Sequence, residues 1–263
     1  MDVRDLVAQH YSPGDLTGTI LRALTEAGLD IDHLGAGELL ALDQLHAGGA
    51  PATQHALDRL GVGPGVRLLD VGCGIGGTSR MAAMAGAEVT GIDLSEEFVS
   101  TATDLTSRVG LSERATFLTT PGESLPLDDA AYDAAVMVHV GMNIPDKQAV
   151  FTEVHRVLVP GGLFAAYEQV RTGEGDPPYP LPWAVDERSS FVESADDYRR
   201  HLEGAGFTVE EVEDRTPFTM GGPPPGPVSN AVVFGEEFVR RIGNNIAATK
   251  GGLLGAQLLV ARA

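Results

Sequence analysis

The sequence predicts an α/β protein built on a mostly parallel sheet with helices on both faces. Three observations predict it. From residue 66 onward, short apolar runs alternate with helical segments, the pattern of strands joined by crossover helices. A glycine-rich loop, Gly72 to Gly77, follows the first of these runs and opens a helix. The chain has 263 residues, 43% of them hydrophobic and 21% charged, enough for one sizeable core.

The elements follow in order. Residues 2–60 read as a helical cap or lid. Val3, Leu6, Val7 and His10 share one face, and Leu16, Ile20, Leu21 and Leu24 share the next. Gly28 ends that second helix. Asp43 to Gly49 is polar and flexible, and a short helix over roughly 51–60 ends at Gly61. Residues 61–263 form the main structural unit. Strands are predicted over 66–71, 88–92, 115–119, 132–140 and 163–170, and helices over 78–85, 96–110 and 146–158. A turn at Val159-Pro160-Gly161-Gly162 precedes the fifth strand. Beyond the Pro- and Gly-rich stretch 171–190, a helix is expected over 193–204 and a strand over 207–215. Pro223-Pro224-Pro225 lies in a loop over 217–227. A helix near 228–243 and a closing strand over 255–262 complete the chain.

Composition excludes several classes. A formal charge of -19, from 37 acidic and 18 basic side chains, repels polyanions, so neither nucleic acid nor an anionic membrane is an expected partner. Arg199-Arg200 and Arg240-Arg241 read as solvated helix faces. Cys73, the only cysteine, makes neither an internal disulfide nor a Cys-based zinc centre, and no metal site is expected. The N-terminus has no basic region followed by an apolar run, and no apolar stretch reaches bilayer length. The expectation is a cytoplasmic enzyme.

The segment Leu69-Asp70-Val71-Gly72-Cys73-Gly74-Ile75-Gly76-Gly77 carries the main functional signal. Gly72, Gly74 and Gly77 satisfy G-x-G-x-x-G, and Asp93 follows Gly74 by 19 residues. That spacing also fits a dinucleotide site. Three features favour S-adenosylmethionine instead. Asp70, two residues before the first glycine, would repel a pyrophosphate but would help to hold a methionyl amino group. About sixty residues precede the first strand. The Arg156–Gly162 turn has no evident use in a dehydrogenase.

LDVGCGIGG at 69–77, GIDLS at 91–95, LPL at 125–127, YD at 132–133 and E-x-x-RVL-x-PGG at 153–162 occur in this order. Together they resemble class I S-adenosylmethionine-dependent methyltransferases. The resemblance covers roughly 40–215. It is closest to the small-molecule branch with ubiquinone/menaquinone-biosynthesis C-methyltransferases and sarcosine/dimethylglycine N-methyltransferases. It implies a Rossmann-like seven-stranded sheet with its last strand antiparallel, and an insertion between the sixth and seventh strands. That insertion, 217–250, would complete a substrate wall or a homodimer contact.

The implied cofactor residues are Asp70, Gly72, Gly74, Gly76, Asp93, Leu94, Gly122, Glu123, His139 and Gln44. Asp93 would accept the ribose hydroxyls, and Leu94 would wall the adenine. The adenine loop departs from the family pattern. Thr120-Pro121-Gly122-Glu123-Ser124 puts Pro121 where relatives often have Asp, leaving Glu123 or the Gly122 backbone to read the base. On the acceptor side, Tyr11, His46, Asn143, Glu168 and Trp183 are the candidates. His139, His46 and Glu168 are the candidate catalytic groups, each a base if burial tunes it. Gln44 and His46 sit in the expected lid.

The reaction implied is methyl transfer to an N, O or C nucleophile of a small molecule, with a place in secondary metabolism. Three alternatives stay open. The first is a cyclase or pericyclase that binds the same cofactor on the same fold. The second is an NAD(P)-dependent oxidoreductase, and the third a non-enzymatic interaction domain.

Overall fold

The computed structural model describes residues 14–219, 226–235 and 237–263. Among the described residues, three α-helices come before the sheet: α1 (Leu16–Glu26), α2 (Leu40–Asp43) and α3 (Gly49–Arg59). Seven strands follow: β1 (Arg67–Val71), β2 (Glu88–Asp93), β3 (Ala115–Thr119), β4 (Tyr132–Val138), β5 (Leu158–Arg171), β6 (Thr208–Asp214) and β7 (Leu254–Arg262). They lie in the order β3-β2-β1-β4-β5-β7-β6, with β7 antiparallel to both neighbours. The chain leaves β1 toward one edge and returns at β4 toward the other. A ligand crevice therefore opens beyond the carboxyl ends of β1 and β4.

The crossover helices are α4 (Gly77–Met84), α5 (Glu96–Arg108) and α6 (Lys147–Val157), and α7 (Ala195–Gly204) leads into β6. Their starts are written locally. The Ser95 hydroxyl accepts from the Phe98 amide, the Asp146 carboxylate accepts from the Ala149 amide, and Ser194 with Asp197 forms a reciprocal capping box.

Strand alternation divides the core. Phe164 and Ala166 of β5 face α6 and α7, packing with Phe151, Val154, Tyr198 and Leu202. Ala165 and Tyr167 face the other way, toward α3 and α4, with Ala56, Leu57 and Ala82. The cap has its own cluster, in which Leu16, Ile20 and Leu24 of α1 pack with Phe98 and Leu105 of α5. Each such leucine contributes about 1.5–3 kcal/mol by leaving water, so the cap is bound to the sheet unit by burial.

Three boundaries differ from expectation. The helix expected near 228–243 is two: α8 (Ala231–Phe234) and α9 (Glu237–Lys250). Gly235, at φ 72°, breaks the helical path between them. β5 starts at Leu158, so the Pro160-Gly161 segment is an extension of the strand. It also runs on to Arg171, which moves Glu168 from the strand end to its interior. Among the described residues, no helix is long and apolar enough to cross a membrane.

Candidate active site

The glycine loop turns sharply because two amides converge on one carbonyl. Gly72 N–H and Cys73 N–H both donate to the Ile92 carbonyl, at 2.8 and 2.9 Å. Gly72 sits at φ 73°, and a Cβ there would collide with the Val140 side chain. Only glycine fits this point, where the loop after β1 passes the loop after β4. Gly74 N–H donates to Asp93 Oδ2 (3.0 Å), and Ser95 N–H donates to Asp93 Oδ1 (2.9 Å). Each carboxylate oxygen has lone-pair capacity left for a further donor. Burial pushes the Asp93 carboxyl upward, against the pull of these amides. Asp70, 1% exposed at the end of β1, accepts from the Ser79 hydroxyl at 2.6 Å. Burial pushes its carboxyl up to about 7.

Asp70, Gly72, Gly74, Asp93, Leu94, Gly122 and Glu123 all line one large cavity over this sheet edge. Gly76 does not. At φ 86° it makes the turn into α4, and a Cβ there would meet Arg80 Nη1 (2.7 Å) and the Phe117 ring (3.1 Å), behind the loop. Gly77 lines the cavity in its place, and a Cβ on it would strike the Asp43 carbonyl of the cap. Gly77 therefore marks the point where cap and loop touch.

The cap brings two further candidates to the cavity. Gln44, 3% exposed, accepts from the Thr53 hydroxyl at 2.6 Å and donates to Asp43 Oδ1 at 2.9 Å. His46 Nε2 lies 2.9 Å from Thr53 Oγ1 and 3.1 Å from Gln44 Oε1, while Nδ1 lies 3.1 Å from the Ala47 carbonyl oxygen. Tyr167 also donates to that carbonyl, at 3.0 Å, which ties β5 to the cap.

His139 follows β4 at φ 53°, in the left-handed region that disfavours a side chain. Its ring centroid lies 5.6 Å from that of His46 and 5.0 Å from that of Tyr167. Burial pushes the His46 imidazole down to about 4. Burial, then the neighbouring His46, lowers His139 well below the usual range. Both rings are neutral at pH 7, the form that accepts a proton. No hydrogen-bond partner among the described residues meets His139 Nε2, which is buried.

Glu168 is not at the cavity. Adjacent strand residues point to opposite faces: Gln169 lines the cavity, and Tyr167, on the same face, packs beside the cavity-lining rings of His46 and His139. Glu168, fully buried, accepts from Val140 N–H (3.1 Å), Gly141 N–H (3.0 Å) and the Tyr198 hydroxyl (3.5 Å). Burial pushes its carboxyl up to about 8. It anchors the loop that carries His139, and Gln169, one residue on, is the strand's polar contribution to the cavity. Period-two alternation gives the spacing but not the phase, which only β5 pairing with β4 and β7 reveals.

Asn143, on the short turn Gly141–Asn143, lines the cavity, as does Trp183. Trp183 is 3% exposed and donates through Nε1 to the Ser190 hydroxyl at 3.0 Å. Tyr11 lies outside the described residues. The insertion between β6 and β7, expected to complete a substrate wall or a homodimer contact, lines the cavity through residues the sequence reading did not name: Phe218, Phe238, Ile242 and Ile246. The apolar i, i+4, i+8 spacing of Phe238, Ile242 and Ile246 was the available signal. The cavity has a volume of about 930 Å³. Among the described residues, no group of three or more His, Cys, Asp or Glu side chains is disposed to hold a metal ion.

Residues 69–166 match the family model described as a methyltransferase domain. A sterol 24-C-methyltransferase of Gibberella zeae is 36% identical over 114 residues, which are 43% of this chain and 30% of that protein. The chain thus spans about a third of the length of that curated relative. Among solved structures, the [4+2]-cyclase SpnF is 26% identical, with a TM-score of 0.70 over 97% of this chain and 94% of that one. Geranyl diphosphate C-methyltransferase from Streptomyces coelicolor A3(2) has a TM-score of 0.72 at 19% identity, over 100% of this chain and 98% of that one. That likeness shows the shared fold.

Proposed function

We propose that this chain, whose residues 69–166 match the methyltransferase domain model, binds S-adenosylmethionine and transfers its methyl group to a small-molecule acceptor. One observation carries the reading. The Gly72–Gly74 loop and the Asp93 carboxylate meet at the carboxyl ends of β1 and β2, joined by the Gly74 amide. The donor set fits the cofactor's chemistry. Asp93 offers two carboxylate oxygens to a ribose diol, and Asp70 offers a buried carboxylate to an amino group. Leu94 and the Thr120–Glu123 loop line the cavity beside them, where an adenine would lie. When bound, S-adenosylmethionine supplies a methyl group activated on a sulfonium.

The chain's own residues then have three tasks. The cap segment, with Gln44 and His46, excludes water from the reacting end. Asn143, Gln169 and Trp183 hold the acceptor. His46 or His139, neutral at pH 7, takes a proton from an acceptor whose nucleophile needs to lose one. Glu168 positions His139 through the backbone of Val140 and Gly141.

Calorimetric titration with S-adenosylhomocysteine beside NAD tests this. Binding of S-adenosylhomocysteine alone supports the reading. Heat from NAD alone replaces it with hydride transfer. A second reading, a cyclase that retains the cofactor, is supported by the likeness to SpnF, which extends over nearly the whole of both chains. A converted acceptor with no S-adenosylhomocysteine formed would select it.

A further inference from the structure

Resting on that reading, we propose that the acceptor is a neutral, mainly hydrocarbon molecule, and that an oxygen-bearing group on it is read by the Asn245 amide of α9. Acidic charge is gathered at the cap and glycine-loop end of the cavity. Among the described lining residues, the acidic groups are Asp43, Asp70, Asp93 and Glu123, in the cap, the glycine loop and the loops after β2 and β3. The one guanidinium is Arg215. Its charge is already paired, with Nη1 on Glu213 Oε1 at 2.8 Å, and its Cζ lies 4.1 Å from the centroid of the Phe218 ring. A phosphorylated acceptor needs several free cations or a bound metal, and a chain of charge -19 adds long-range repulsion.

The wall formed by Phe218 and α9 is mainly apolar and open. Phe218, Val239 and Ile246 line the cavity, yet are 60%, 72% and 41% exposed. Large apolar side chains clustered at a cavity mouth are the surface a hydrocarbon ligand covers. Ile242 and Phe238 continue this wall inward on the same helix. Within it stands one polar anomaly. Asn245 lines the cavity, and its buried Oδ1 has no hydrogen-bond partner among the described residues. Its neighbour Asn244 is used structurally, donating to the Pro180 carbonyl at 2.9 Å. A buried carbonyl left unpaired is costly, and a hydroxyl of the acceptor would satisfy it.

The test uses the full chain saturated with S-adenosylhomocysteine and three probes that share one hydrocarbon: farnesol, farnesyl diphosphate and farnesene. Trp183, the only tryptophan, lines the cavity and reports binding by its fluorescence. Farnesol is expected to bind at least ~10-fold more tightly than farnesyl diphosphate, because the one guanidinium lining the described cavity is already charge-paired with Glu213 and cannot alone offset a diphosphate. Asn245→Leu is expected to weaken farnesol ~10-fold, to the affinity of farnesene, by removing one hydrogen bond. Ile242→Arg is expected to weaken farnesol and farnesene together. Tighter binding of the diphosphate, or no response to farnesol, overturns the proposal. Farnesol binding unchanged by Asn245→Leu overturns the reading of Asn245. If S-adenosylhomocysteine binds while farnesol does not, this inference alone fails. If S-adenosylhomocysteine does not bind, the proposed function fails.

Discussion

Arg80 and Asp43 form an ion pair, Nη2 to Oδ2 at 2.9 Å, with both side chains only 1% exposed. The pair joins α4, just behind the glycine loop, to the cap. Arg80 Nη1 also donates to Thr106 of α5 (3.1 Å), and Asp43 Oδ1 accepts from Gln44 (2.9 Å), so the pair links the sheet unit to the lid residues. Removing one partner strands a buried charge. Asp43→Ala is expected to cost about 3–5 kcal/mol of stability, whereas the double variant Asp43→Leu with Arg80→Met recovers most of it. Denaturant unfolding of the single and double variants checks this.

Asp93→Asn keeps an oxygen for one backbone amide but removes the charge offered to a ribose diol. The loss expected is about 1.5–3 kcal/mol of S-adenosylhomocysteine affinity, roughly 10- to 100-fold, since a hydrogen bond to a charged acceptor is exchanged for a neutral one. Calorimetry measures it. Affinity unchanged by this variant would remove Asp93 from the cofactor site.

Burial holds the Asp70 carboxyl at about 7 in the free protein. An amino group of the ligand favours the ionised carboxylate, so binding lowers this value. S-adenosylhomocysteine affinity is then expected to fall as pH drops below about 7, approaching tenfold per unit. Binding at pH 6 releases a proton, and binding at pH 8 does not. Titrations in phosphate and Tris buffers read the proton directly, and Asp70→Asn is expected to abolish the dependence.

Glu168 bears on stability in a pH window of its own. Its folded value is raised by burial from 4.5 to about 8. The folded state therefore holds a proton that the unfolded state has lost. The stability this contributes is complete below pH 4.5 and is lost as pH rises through about 8. Asp70 contributes with the same sign only up to about 7. From pH 5.5 to 7, between the two values, the native protein is expected to lose about 1.4 kcal/mol per pH unit relative to Glu168→Gln, and the loss levels off above pH 8. Thermal melts of the two across this range decide it.

His139→Ala is expected to lower turnover about 100-fold, the low end of general acid–base contributions, with S-adenosylhomocysteine affinity within about threefold of the native value. Single-turnover rates beside calorimetry separate the two. An equal loss in both would make His139 a cofactor residue instead of a base.

Most of the frame was legible in the sequence because its signals are local. Asp70, Gly72, Gly74 and Asp93 sit where strand ends and tight turns put them, and short-range spacing encodes both. Glu168 was misplaced because its neighbours Tyr167 and Gln169 are equally compatible with either face of an isolated strand. Gly76 and Gly77 are adjacent, and which one lines the cavity depends on where Asp43 and Arg80 pack against them.

Alone, the sequence determined the seven-strand frame, the glycine loop and the acidic end of the second strand, since hydrophobic period and turn chemistry act over a few residues. Only the tertiary structure decided the rest. It brought the ring of His46 of the cap within 5.6 Å of that of His139 beyond β4, turned Glu168 away from the cavity, and made α9 a mainly apolar wall of the cavity that the carboxylates line. Those relations join residues dozens to hundreds of positions apart. They exist because burial of apolar faces selects one packing of cap, sheet and insertion, which no local pattern records.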